Sequence, residues 1–248
     1  MEPVASVVSS TIDDGVAILS FRDPASKNAL DSRTVPLLEG ALEDLGRNEV
    51  VKVIVLEGLR DVFCSGGSQE MLQALAKGQQ TPVDLLLPKR LLDTPVPVIA
   101  AMEGHAIGGG FAIGACADIV LIARESRYGF SFMNFGFTPG MGTTRLVEHV
   151  LSPAIAHELL YTGQTFRGAQ FEGKSGFNYI LPQAEVAAKA REIAGRIAEK
   201  PRRSLEVLKR TLSLPKRQCF EATHTIETLM HQVTFQGADV ERLIKEGF

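Results

Sequence analysis

The sequence predicts an α/β fold with a helical C-terminal part, and three observations predict it. Strand-like apolar runs alternate with helical periodicity from residue 4 to about residue 123, the pattern of strands covered by helices. From Thr143 onward the helical period dominates. The 248 residues, 45% hydrophobic and 22% charged, suffice for one substantial core with a helical appendage.

Residues 4–12 and 16–21 read as a hairpin around Asp13-Asp14-Gly15. Asp31-Ser32 caps a helix to about Arg47, with Leu37, Leu38, Ala41, Leu42 and Leu45 at helical spacing. Residues 51–57 (VKVIVLE), 96–102 (VPVIAAM) and 118–123 (DIVLIA) read as strands. Helices are expected over residues 68–76 and 84–92, with a polar, mobile loop at 77–82 (KGQQTP) between them. The glycine run at 104–110 (GHAIGGG) leads into a small-residue helix at 111–117. Further helices are expected over 143–150, 153–161, 184–199, 204–212 and 220–235. The boundary near Pro201 separates an α/β core, residues 1–200, from a helical region, residues 201–248.

Composition excludes several function classes. A net charge of −3 favours neither nucleic acid nor an anionic membrane, and the absence of Trp with only 3 Tyr argues against base-stacking platforms. Cys64, Cys116 and Cys219 are odd in number and lack paired spacing, so neither a disulfide framework nor a metal site is expected. A reduced, cytoplasmic setting follows. The N-terminus has no signal-peptide pattern, and the most apolar stretch, residues 106–117, is too short to span a bilayer.

Two glycine motifs carry the chemistry. Ser65-Gly66-Gly67 follows a strand; Ile107-Gly108-Gly109-Gly110 precedes a helix. Glycine lets backbone approach a ligand, and a helix start offers N–H groups without intrahelical acceptors. Two such groups aimed at one point stabilise an oxyanion. Taken singly, each motif reads better as a tight turn or a close helix contact. Gly140-Met141-Gly142 suggests a dinucleotide loop, but Arg145 stands at the third glycine position of that fingerprint.

In combination, Lys27-Asn28-Ala29-Leu30, Phe63-Cys64-Ser65-Gly66-Gly67, residues 104–110, Ala117-Asp118-Ile119 and Thr138-Pro139-Gly140-Met141-Gly142 resemble the crotonase (enoyl-CoA hydratase/isomerase) superfamily across nearly the whole chain. The resemblance implies a spiral of ββα units, a C-terminal helical trimerisation region, a homotrimer and no cofactor. It implies an oxyanion hole made by the N–H groups of Gly67 and Gly109 for an acyl thioester carried by CoA or an acyl carrier protein. The hole serves several reactions, so it does not fix the chemistry.

The missing residues narrow it. Hydratases of this superfamily place one carboxylate two residues after the glycine run, here Ala112, and another seven residues before the proline of Pro-Gly-x-Gly, here Phe132. Neither side chain transfers a proton, which excludes hydration and one-base isomerisation through that pair. An apolar site with an intact hole suits loss of CO2 from a thioester-conjugated carbon. Residues 133–142 (MNFGFTPGMG), Leu229-Met230-His231 and Thr234-Phe235 resemble the decarboxylase branch of polyketide β-branching cassettes. Those enzymes convert a 3-methylglutaconyl group on an acyl carrier protein to a 3-methylcrotonyl group. The resemblance implies that His231 is the proton donor or otherwise assists the dienolate.

By pattern alone His231 lies off the apolar stripe of Ile226, Leu229, Met230 and Val233 and reads as a surface or interface histidine. The branch often carries a lysine in the loop after the first motif; the matching positions here are Gln79-Gln80-Thr81, so Lys77 is the nearby candidate for the substrate carboxylate. Lys27 and Arg22 are candidates for a phosphopantetheine phosphate. Met71, Leu72, Leu75, Leu87, Phe132 and Phe137 are candidates for the acyl pocket. His105 is expected to be backbone-bonded, Cys64 to be a small buried residue and Asp118 to anchor the core. The expected function is decarboxylation; an enoyl-thioester isomerase and a non-catalytic acyl-thioester binder stay open.

Overall fold

The structure is a computed structural model that describes residues 6–79 and 86–248. Strands Val8–Asp13 and Val16–Phe21 pair antiparallel through a two-residue turn at Asp14-Gly15, both at positive φ (44° and 81°), as an Asp-Gly hairpin turn requires. Val16–Phe21 then opens a parallel run through Val53–Glu57, Val98–Met102, Ile119–Ala123 and Tyr179–Leu181, giving a six-stranded sheet. Every residue of Val53–Glu57 and Val98–Met102 is buried, because both faces of the sheet are covered. One face meets the main core. The other meets the helix Gln183–Ala198 through Val186, Ala190, Ala194 and Ala198, a row at four-residue spacing.

A second sheet orders Thr165–Arg167, Arg127–Gly129, His105–Ile107 and Val62–Cys64, and a two-stranded one joins Ala29–Leu30 to Gly66–Gly67. The chain thus repeats one unit: a long strand in the large sheet, a short strand in the second, then a helix. Val53–Glu57, Val62–Cys64 and Gln69–Ala76 form one unit; Val98–Met102, His105–Ile107 and Gly109–Cys116 form the next. This is the crotonase-type ββα spiral. Arg127–Gly129, Thr165–Arg167 and Tyr179–Leu181 carry no strand signal in the sequence, since three residues are too few for a period-two pattern.

Other boundaries differ from the sequence expectation. The helix expected at 143–150 is Thr143–Leu146 followed by a 3-10 turn, Val147–His149. The long C-terminal helix starts earlier, at Leu214, with proline in its first turn, and runs to Thr234. A last helix, Val240–Glu246, was not indicated. Residues 80–82 of the expected loop, and the start of the helix expected at 84–92, lie outside the described residues; the helix is described over Leu87–Asp93.

Asp118 anchors the core as expected. It accepts from the Val98 N–H (2.8 Å) and pairs with Lys209 (2.7 Å) on the helix Arg202–Leu212. His105 is also backbone-bonded, accepting from the Arg127 N–H at Nδ1 (2.9 Å). Among the described residues, no helix is long and apolar enough to cross a membrane.

Candidate active site

The two glycine motifs meet. Gly66 has φ +88°, and a Cβ there would lie 2.8 Å from the Ile107 carbonyl oxygen and 3.6 Å from the Gly109 nitrogen. Only glycine permits both the conformation and the approach. Gly67 follows, paired beside Leu30, and Gly109 is the first residue of the helix Gly109–Cys116. A first helical residue has no intrahelical acceptor for its N–H, and the helix dipole adds positive potential there. That helix is buried at every residue.

Both glycines border a cavity of about 330 Å³. Met71, Leu72 and Leu75, from the helix Gln69–Ala76, form one wall. Phe132 and Phe137 form another. Phe132 stacks on Phe130, with ring centroids 6.0 Å apart, and Phe137 stacks on Phe235 at 4.5 Å. Phe132, expected to stand where hydratases carry a carboxylate, is thus part of an aromatic wall. Among the described residues no Asp, Glu, Lys or Arg lines the cavity, and His231 is its only titratable side chain.

Several expected residues stand elsewhere. Ala112 does not line the cavity: its methyl is fully buried in the main core, and its N–H donates to the Gly108 carbonyl (3.0 Å). Leu87 also belongs to the main core. Lys27 is exposed at φ +55°, and its carbonyl accepts from the Ser65 N–H of the first motif (3.3 Å). Lys77 is exposed at the end of the Gln69–Ala76 helix, outside the lining. Gln79 is exposed; Gln80 and Thr81 lie outside the described residues. Arg22 is paired with Glu57 (2.8 Å). Cys64 is buried, as expected of a small residue under the first motif.

The placement of His231 corrects the helical pattern. Ile226 and Val233 of the apolar stripe are 57% and 73% exposed, whereas the buried face carries Phe220, Thr223, Glu227 and His231. His231 is therefore an inward residue. Its Nε2–H donates to the Thr138 carbonyl (2.9 Å), and its ring stands edge-on to Phe137 and Phe235. Nδ1 is buried without a hydrogen-bond partner among the described residues. Burial pushes the imidazole below its ordinary value, against the opposing pull of the Thr138 and Pro139 carbonyls. In the neutral ring so held, Nδ1 carries the lone pair.

The sequence reading missed Glu227, whose carboxylate accepts from Gly142 and Thr144. Its position one helical turn before His231 was the available signal.

Comparison with known proteins places this geometry. The enoyl-CoA hydratase/isomerase family model matches residues 11–248. The chain is 40% identical to the bacillaene synthase decarboxylase PksI of Bacillus subtilis over 234 residues, 94% of each chain. It is also 40% identical, with a TM-score of 0.93, to a solved structure from a dehydratase/decarboxylase enzyme couple involved in polyketide β-branching, covering 97% of this chain and 98% of that one. The ECH2 decarboxylase domain of CurF from Lyngbya majuscula superposes with a TM-score of 0.91 at 33% identity, covering 98% and 99%. With its ββα spiral, its paired glycine motifs and a family match over almost its whole length, the chain belongs to the enoyl-CoA hydratase/isomerase family.

Proposed function

We propose that this protein is a cytoplasmic decarboxylase of polyketide β-branching that converts a 3-methylglutaconyl-type thioester on an acyl carrier protein to the 3-methylcrotonyl-type thioester. One observation carries the reading: the cavity joins two glycine N–H positions to walls that, among the described residues, hold no side-chain carboxylate, with His231 at its edge. The similarity to PksI and to the CurF domain, both decarboxylases, supports it.

The chemistry follows from the lining. The thioester oxygen sits between the Gly67 and Gly109 N–H groups. The bond to the carboxylate carbon breaks, CO2 leaves, and the electron pair moves through the conjugated system onto that oxygen. The dienolate spreads its charge toward fixed dipoles, while the substrate's compact carboxylate faces apolar walls. Phe132 and Phe137 exclude water from the dienolate. A proton must then return to carbon.

His231 serves that step. The free imidazole is neutral, but an anionic carboxylate beside it favours the charged form. Substrate binding therefore loads a proton onto Nδ1, and the imidazolium passes it to the dienolate after CO2 departs. Lys77, at the end of a helix whose inner face lines the cavity, guides the carboxylate at the rim. Lys27, beside the strand that pairs with Gly66–Gly67, meets the phosphate of the carrier arm. The exposed stripe of Ile226, Leu229 and Val233 supports a homotrimer that covers it.

The test is mass spectrometry of a carrier protein loaded with the 3-methylglutaconyl group, incubated with wild type and with His231→Ala. Loss of CO2 by the wild type, with a rate reduced at least tenfold in the variant, is expected. Equal rates remove His231 from the mechanism, and an unchanged substrate with wild type defeats the decarboxylase reading.

A further inference from the structure

Glu227 is 1% exposed, and no lysine or arginine pairs with it among the described residues. Both of its oxygens are used. Oε2 accepts from the Gly142 N–H (2.6 Å); Oε1 accepts from the Thr144 N–H (2.9 Å) and the Thr144 hydroxyl (2.6 Å). A buried carboxylate without a counter-ion is expensive, and three donors only partly offset the cost. Burial accordingly pushes Glu227 above the usual carboxylate range, in spite of those hydrogen bonds.

What it holds is strained. Met141 and Gly142 lie consecutively at φ +63° and +76°. For methionine this conformation is uncommon and persists only where the surroundings enforce it. Met141 is 2% exposed and borders the cavity. The same helix holds the other end of this loop. His231 donates to the Thr138 carbonyl, and the Thr234 hydroxyl accepts from the Thr138 N–H (3.3 Å). Glu227, His231 and Thr234 thus grip residues 138–144 from one face of one helix.

We infer that Glu227 is a positioning residue for the decarboxylation: by clamping the Met141-Gly142 turn it fixes the Thr138 carbonyl that orients His231. This rests on the proposed function for its kinetic part alone. A carboxylate suits the site because two backbone N–H groups, which can only donate, face one of its oxygens each. A glutamine would offer one oxygen and turn its amide N–H groups toward a backbone N–H.

Glu227→Gln tests it, with Thr144→Val, which deletes only the hydroxyl donor, as the milder companion. Two readouts are taken, the steady-state kinetics and the 15N signals of His231 in histidine-labelled protein. The expected kinetic result is a kcat at least tenfold lower in Glu227→Gln, with KM changed less than threefold. The double variant with His231→Ala should be no slower than His231→Ala alone, because Glu227 acts through that ring. The His231 Nε2 signal should move in both single variants, further in Glu227→Gln. If Glu227→Gln fails to fold, Thr144→Val carries the test, with a smaller loss of kcat and a shift in the same direction. Unchanged His231 signals in the folded variants overturn the inference, whether or not the wild type decarboxylates. So does wild-type kcat in Glu227→Gln. A wild type that releases no CO2 while the signals still move sinks the proposed reaction and leaves the clamp standing.

Discussion

Gly66 shows how backbone alone builds the candidate hole. A Cβ there would meet the Ile107 carbonyl at 2.8 Å in a left-handed conformation, so Gly66→Ala must part the two motifs. Parting them misaligns one donor, and loss of a donor costs about 10²–10³ in kcat. Steady-state kinetics should show that fall with folded protein retained by circular dichroism. His231 gives a second prediction at this scale. Its folded value is lowered below the ordinary 6.5, so the unfolded chain binds the proton more readily. Its contribution to stability is complete above the unfolded value and is lost as pH falls toward the folded value. His105 and His149 are shifted the same way, so the measurement is a difference. Urea unfolding from pH 7 to 5 should fall less steeply in His231→Gln than in wild type. The two motifs were legible in the sequence because Gly66 and Gly108 stand at positive φ (+88° and +55°), where glycine is the default residue. Glu227 was not, because its partners lie 85 and 83 positions away.

The elements were legible where they are long. The buried strands Val53–Glu57 and Val98–Met102 and the helix Gln183–Ala198 carry enough residues for a period. The three-residue strands of the second sheet do not, and their pairing is fixed by residues far off in sequence. The helix Leu214–Thr234 misled for another reason: its most apolar stripe faces outward, and its buried face carries Thr223, Glu227 and His231. Periodicity identifies a helix but not which of two faces meets the core. The neighbouring helix, Arg202–Leu212, is tied down by Lys209, whose side chain is 3% exposed against Asp118. Lys209→Ala leaves that carboxylate unpaired and should cost about 3–5 kcal/mol in denaturant unfolding. Lys209→Met, which keeps the apolar stem, should cost less.

At the scale of the whole molecule, the fold brings two helix-preceding loops and one distant helix around a single cavity. The alternation of strand and helix periods carried the class of fold, and the resemblance carried the spiral, the hole and the expectation of three copies. The exposed stripe gives that expectation a physical reason. Leu229 is 56% exposed between Ile226 and Val233, an apolar surface that a monomer keeps wet at a cost. Analytical ultracentrifugation should give a trimer for wild type, and Leu229→Glu with Val233→Glu should release smaller species. A wild-type monomer at micromolar concentration would contradict that arrangement.

The proposed reaction is loss of CO2 followed by protonation of carbon, in a site that holds no side-chain carboxylate among the described residues. Its most direct measurement is the mass of a 3-methylglutaconyl carrier protein after reaction in heavy water. The expected product is lighter by CO2 and carries one deuterium on carbon. A product heavier by one water would contradict it, since it would mean that a site walled by Phe132 hydrates its substrate.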